Sequence, residues 1–116
     1  MEFIRKVIAY KNYFLDFYSK QSDTVQAKIE WTLNLIQVMN HVPEKYFKHI
    51  EGTKKLYEIR VVVGNSIFRI FSFFDKGNIV VLGNVFQKKS KKTPKNEIER
   101  ALKIMEEYFD EKGKKQ

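Results

Sequence analysis

Residues 56–86, LYEIRVVVGNSIFRIFSFFDKGNIVVLGNVF, decide the fold of this chain. They contain three runs rich in β-branched and aromatic residues, with Gly64–Asn65 after the first run and the turn DKGN after the second. Runs of this kind with short turns between them predict an antiparallel β-meander. Each run is short and apolar on both faces, so helices must cover at least one face of the sheet.

The segment before the meander predicts a strand and two helices. Residues 3–10 are short, partly β-branched and roughly alternating, which is typical of a strand. Residues 11–21 carry aromatic side chains that fall on one helical face. A second helix is expected to begin near Ser22 or Asp23, with Gln26 three residues after Asp23 as in a capping box.

The remaining segments are a loop and a last helix. Pro43 should end the second helix, and residues 43–55 are expected to be a loop. Thr93–Pro94 is a helix-start pattern. An amphipathic helix follows, with its apolar stripe at Ile98, Ala101, Leu102, Met105, Tyr108 and Phe109. The sequence therefore predicts a single α+β domain over residues 1–111, with a frayed basic tail at 112–116.

Composition narrows the function. The 116 residues carry a formal charge of +8 with a pI near 9.6, which favours polyanionic partners such as RNA, DNA or an acidic protein. The chain has no cysteine and only His41 and His49, so neither a disulfide nor a protein-only metal site is expected. No apolar run approaches the roughly 20 residues of a membrane helix, and the first residues lack a signal peptide's apolar region. We therefore expect a cytoplasmic protein without a membrane partner.

Charged residues inside the apolar meander are candidates for a site. Glu58 and Arg60 are two residues apart, so they lie on the same face of their strand, and Arg69 is flanked by Ile and Phe on the next strand. Burying such a charge costs several kcal/mol unless it is paired. Three interpretations are open: an ion pair of Glu58 with Arg60 or Arg69, an edge strand with solvated charges, or the floor of a binding site.

Lysines between the last strand and the last helix form a second feature, at Lys88, Lys89, Lys91, Lys92 and Lys95. A basic segment that leads into a helix N-terminus can bind an anion, because free backbone N–H groups add to the positive charge. Lys54 and Lys55 could form the opposite wall of that site. The alternative is a solvated loop whose lysines serve solubility. Tyr57 and Phe86 could stack on a base or simply pack, and Trp31 is expected to pack between elements.

Taken together, LYEIRV, FRIFSFF and IVVLGNVFQKKSKKTPKNEIERA resemble the HigB-like, phage-derived branch of the RelE/ParE toxin superfamily. The resemblance is strongest from Leu56 to Ala101, whereas residues 1–50 match only in the order and length of their elements. It implies a RelE-like fold, in which an N-terminal strand and two helices pack on a curved, mainly antiparallel sheet beside a C-terminal amphipathic helix. It also implies an mRNA endoribonuclease that works on the ribosome without metal or other cofactor. The implied partners are mRNA, the ribosome and a HigA-like helix-turn-helix antitoxin, and DNA would be met only through the antitoxin complex.

The resemblance also implies roles for residues. Arg69 matches the family's third-strand arginine and is expected to stabilise the phosphorane, with Arg60 as a second clamp. Glu58 is a possible base or orients Arg60, and Lys89 or Lys88 is the candidate acid. The RNA backbones would be held by further lysines: Lys54, Lys55, Lys88, Lys91 and Lys92.

This hypothesis requires both guanidinium groups to be accessible on the side of the sheet where the lysine run lies. The sequence departs from the family's usual pattern, since Glu58 and Arg60 replace a second-strand lysine pair and the last helix has no evident tyrosine at its start. Three alternatives stay open: a ParE-like gyrase inhibitor, a non-enzymatic basic module that binds nucleic acid or protein, and a family member that no longer cuts RNA.

Overall fold

A computed structural model describes residues 3–88 and 93–114 as an α+β domain built on a five-stranded mixed sheet. The sheet has the strand order β1-β5-β4-β3-β2, in which β1 pairs parallel with β5 and the other pairs are antiparallel. The elements in chain order are β1 (Lys6–Ala9), α1 (Tyr13–Ser19), α2 (Asp23–Val38), β2 (Phe47–His49), β3 (Leu56–Val63), β4 (Ser66–Asp75), β5 (Ile79–Lys88) and α3 (Lys95–Lys114). The predicted fold class is confirmed.

The meander forms as its sequence predicts. Strand β3 pairs with β4 from Leu56 opposite Phe73 to Val63 opposite Ser66. Gly64 has φ +58°, whereas Asn65 does not have a positive φ, as in the two-residue turns that place glycine first. The pairing of β4 with β5 changes register between Ile70 and Ser72.

Helices cover both faces of the sheet. Helices α1 and α2 bury Phe14, Ile29 and Ile36 against one face, where Ile59, Val61, Phe68, Ile70, Val80 and Leu82 contribute to the same core. Helix α3 packs Ala101 against Leu56 and Phe71 on the other face. Because side chains alternate along a strand, this second face, which we call the α3 face, also carries Glu58, Arg60 and Arg69.

Capping at the start of α2 differs from the predicted capping box. Ser22 is the N-cap, and its hydroxyl accepts a hydrogen bond from the Val25 backbone N–H at 3.3 Å. Gln26 donates instead to the carbonyl of Tyr18 at 2.8 Å. The glutamine side chain therefore joins α2 to the end of α1 rather than closing a box on Asp23.

The edges of the sheet differ from the sequence prediction in two places. Strand β1 is shorter than residues 3–10, and the expected loop at 43–55 contains the short edge strand β2. Arg5, just before β1, donates to the carbonyls of Ile36 at 3.1 Å, Met39 at 2.8 Å and Asn40 at 3.0 Å. A positive side chain at a helix C-terminus is favourable, so this contact holds the N-terminal segment against α2.

Helix α3 has the predicted apolar stripe and extends further than predicted. Ala101 and Ile104 are buried, and the helix continues to Lys114, past the expected end at 111. The last turn is held because the Lys112 ammonium binds the Asp75 carboxylate at 2.5 Å. Within the described ranges, no helix is long and apolar enough to span a membrane.

Candidate functional site on the α3 face

Charged side chains from three neighbouring strands meet on the α3 face. Arg60 on β3 lies directly opposite Arg69 on β4, and Glu58 lies two residues along β3 on the same face. Lys48 on the edge strand β2 lies directly opposite Glu58 and is exposed. The sheet register therefore places two guanidinium groups, an ammonium group and a carboxylate on one surface.

Arg69 and Glu58 form a buried ion pair. Arg69 Nη1 binds Glu58 Oε1, and the two residues are only 3% and 7% exposed. The other carboxylate oxygen, Oε2, accepts a long hydrogen bond from the Thr93 hydroxyl at 3.4 Å. Each charge offsets the desolvation of the other, so the ion-pair interpretation of these residues is the one that the structure supports.

This burial corrects the expected role of Arg69. The requirement that both guanidinium groups be accessible is not met, because Arg69 is 3% exposed and its Nη1 is held by the Glu58 carboxylate. Glu58 is corrected in the same way, since both of its oxygens already accept hydrogen bonds and it does not orient Arg60. Both residues fix the neighbouring strands and the start of α3 in place.

Arg60 is the more accessible of the two arginines. It is half-buried and forms no ion pair within the described part of the chain. Its Nε is buried and lacks a hydrogen-bond partner there, while its backbone N–H donates to the Tyr46 carbonyl at 2.9 Å. A half-buried guanidinium with unused donors is suited to bind an oxyanion such as a phosphate.

Asn84 is a buried polar residue at the bulge of β5 that was not predicted from the sequence. It lies where β5 has an extra residue opposite Phe71, and it is 2% exposed. Neither Oδ1 nor Nδ2 has a hydrogen-bond partner among the described residues, and the same holds for Arg69 Nε. Buried polar atoms are normally paired, so these unpaired atoms are exceptions within the sheet. Gly83–Asn84 within the apolar run IVVLGNVF was the sequence signal for this bulge.

The lysine-rich segment is connected at both ends to this face. Lys88 on β5 pairs with Ile67, two residues before Arg69, and Thr93 contacts Glu58. Lys95 is exposed in the first turn of α3. Lys89, Lys91 and Lys92 lie outside the described residues. The two described ends of the segment, Lys88 and Thr93, thus lie on either side of the cross-strand neighbours Arg60 and Arg69.

Lys54 and Lys55 lie elsewhere, which corrects their expected position as the opposite wall of the site. They line a cavity of about 430 Å³ beside the β4–β5 turn, together with Asp75, Lys76 and Phe109. Asp75 is six residues beyond Arg69 on β4, which corresponds to about 20 Å at roughly 3.3 Å per residue. The structure therefore does not bring these two lysines to the arginines.

Aromatic residues singled out in the sequence mostly pack. Phe86 stacks on Phe71 with ring centroids 5.4 Å apart, and Tyr57 stacks on Phe47 at 5.0 Å on the opposite face from Glu58. Trp31 packs edge-on against Tyr46 at 5.7 Å, as expected, although it is 45% exposed and has the Lys28 ammonium 4.0 Å from its ring centroid. No group of three or more His, Cys, Asp or Glu in residues 3–88 and 93–114 could hold a metal ion.

The mixed sheet, its three helices and the basic face define an α+β protein of the RelE-like type. The sequence model of the family "Phage derived protein Gp49-like (DUF891)" matches residues 16–106. The chain belongs to this phage-derived Gp49-like family, which is a RelE-like, toxin-type family. A search of curated proteins found no match.

Proposed function

We propose that this chain is the toxin of a type II toxin–antitoxin pair, of the HigB-like kind, and that it cuts mRNA on the ribosome. The observation that carries the proposal is the position of Arg60, a half-buried guanidinium that forms no ion pair within the described residues, on the face where the lysine-rich segment begins and ends. The family and the net charge of +8 support it, since the first is toxin-type and the second favours a polyanionic substrate.

The proposed reaction is a transesterification within the RNA. The 2′-oxygen attacks the adjacent phosphorus and loses its proton to a base, so that a new O2′–P bond forms. The P–O5′ bond then breaks, and an acid gives a proton to the leaving 5′-oxygen. The products are a 2′,3′-cyclic phosphate and a free 5′-hydroxyl. Negative charge builds on the non-bridging oxygens in the phosphorane, where a fixed guanidinium stabilises it most.

Arg60 takes the phosphorane-stabilising role in this proposal. Lys48, exposed on the same face, binds a neighbouring phosphate. Arg69 acts as a positioning residue through its ion pair with Glu58, because this pair joins β4 to β3 next to Arg60. Lys88 and Lys89 remain the candidate acids, since Lys88 ends β5, the strand that pairs with β4, and Lys89 follows it in the sequence.

Induced expression with primer extension on cellular mRNA tests the proposal. The wild-type chain should arrest growth and give discrete cuts, and Arg60→Met should lose about 10² or more in cutting rate. Arg100→Met is the matched control, because Arg100 is exposed on α3 and it should cut like the wild type. Equal cutting by Arg60→Met and Arg100→Met would contradict the role of Arg60. A DNA-damage response without mRNA cuts would favour gyrase inhibition instead.

The proposed partner is a helix-turn-helix antitoxin of HigA type. An acidic or apolar antitoxin segment that covers the basic face would block access of RNA to Arg60. Co-expression with the neighbouring reading frame, followed by purification through a tag on one chain, tests this. The complex should have lost the cutting activity, and two chains that purify separately would argue against this partner.

A further inference from the structure

The cavity beside the β4–β5 turn is distinct from the site at Arg60. Its volume of about 430 Å³ lies within the range of roughly 300–1,000 Å³ that is typical of small-ligand sites. Lys54, Lys55 and Lys76 are exposed around it, and none of them forms an ion pair within residues 3–88 and 93–114. Three free ammonium groups around one concave surface favour an anionic ligand.

The one carboxylate of the cavity is already neutralised. Asp75 is 6% exposed, and it accepts hydrogen bonds from the Tyr108 hydroxyl at 2.6 Å and from the Lys112 ammonium at 2.5 Å. Lys112 and Tyr108 together hold the pKa of this carboxyl below its usual range. The carboxylate is thus bound mainly by α3, with a smaller coulombic contribution from Lys76, so it offsets little of the charge of the three exposed lysines.

Aromatic residues reach the cavity from both faces of the sheet: Tyr57 and Phe74 from the side of α1 and α2, and Phe109 from α3. Tyr57, Phe74 and Phe109 line it. Tyr57 meets Phe74 edge-on at 5.3 Å, and Phe109 meets Phe73 at 5.6 Å, so neighbouring rings hold these walls in place. A ligand that combines a flat aromatic group with a negative charge would use both the rings and the lysines.

We propose that this cavity binds one nucleotide of a single-stranded RNA, with its base against Phe109 and its phosphate on Lys54, Lys55 and Lys76. The identity of the strand as RNA rests on the proposed function. The cavity lies about 20 Å along β4 from Arg69, so it holds the strand at a second point away from the cleavage site. Two weak contacts on one strand raise its overall affinity well above that of either contact alone.

Fluorescence anisotropy with a labelled 2′-O-methyl RNA tests the cavity, because a strand without a free 2′-hydroxyl binds but cannot be cut. The double variant Lys54→Ala/Lys55→Ala should weaken binding about tenfold and reduce the slope of log K against log salt by about 0.7, because the cavity holds one phosphate and each phosphate contact on a single strand contributes roughly 0.7. Phe109→Leu keeps an apolar side chain but loses the ring, so it should weaken binding about tenfold with an unchanged salt slope. The control Lys20→Ala/Lys103→Ala removes two exposed lysines of α1's end and α3, and it should lose less.

Competition with small anions shows whether the cavity recognises a base together with a phosphate or a phosphate alone. Adenosine monophosphate should displace the wild-type strand at lower concentration than inorganic phosphate does, and this difference should disappear in Phe109→Leu. Equal losses in Lys54→Ala/Lys55→Ala and in the control would overturn the proposal. An acidic peptide that competes as well as the strand, with no effect of Phe109→Leu, would overturn it in favour of a protein partner. If the chain binds the RNA strand as expected but cuts no mRNA, only the proposed reaction is refuted. If the chain cuts mRNA but the cavity variants bind the strand like the control variant, only this inference is refuted.

Discussion

Replacing Arg69 by methionine should destabilise the fold, because it leaves the Glu58 carboxylate buried without its partner. The two residues are 3% and 7% exposed, so water cannot replace the lost ion pair without opening the sheet. Breaking a buried pair of this kind costs about 3–5 kcal/mol. At about 4 °C per kcal/mol for a domain of this size, the melting temperature should fall by roughly 12–20 °C.

Arg60 provides the matched control, since it is the residue directly across from Arg69 and forms no ion pair within the described residues. Arg60→Met should therefore lower stability by no more than about 1 kcal/mol. Comparing the two variants separates the structural role of Arg69 from the proposed catalytic role of Arg60. Arg69→Met should lose stability, whereas Arg60→Met should stay folded and lose mRNA cutting.

Urea unfolding followed by circular dichroism measures these differences, and a double-variant cycle isolates the pair. Glu58→Leu/Arg69→Met removes both charges and should recover most of the stability, to within about 2 kcal/mol of the wild type. Unfolding of Arg69→Met at the same urea concentration as Arg60→Met would contradict a stabilising ion pair at Arg69. A double variant less stable than Arg69→Met alone would contradict it equally.

Three further predictions concern stability away from the arginines. Asp75→Asn should be less stable than the wild type at neutral pH, and the difference should shrink as pH falls below 3.8. The pKa of Asp75 is lowered in the folded chain, so its stabilisation is present above 3.8 and is lost as the carboxyl is protonated. Urea titrations at pH 7 and pH 3 measure this difference, and a constant difference would contradict the Lys112 and Tyr108 contacts. Ser22→Ala removes the cap of α2 and should cost about 1 kcal/mol in thermal unfolding, whereas no loss would show that the hydroxyl is dispensable. Gly64→Val should cost at least about 1 kcal/mol, because φ +58° is disfavoured for a β-branched residue, and an unchanged melting temperature would contradict that turn.

Local sequence patterns were sufficient for most elements of the fold, with the edge strand β2 as the exception. The three runs of residues 56–86 became β3, β4 and β5 nearly as predicted, because alternation and turn chemistry act over a few residues. Ser22 and the apolar stripe of α3 were readable for the same reason. Strand β2 was missed because three residues at a sheet edge carry too little pattern, and they form a strand only where β3 offers its backbone.

Local patterns in the sequence account for the three-stranded meander, the basic charge and the presence of Glu58, Arg60 and Arg69 on two adjacent strands. Which arginine is paired depends on the tertiary fold. Strand register places Arg69 and Arg60 opposite each other, but it is the start of α3, with Thr93 against Glu58, that covers one end of this face. Burial depends on residues far apart in the chain. Arg69 is buried and therefore needs its ion pair, whereas Arg60 is less buried and stays within reach of a ligand.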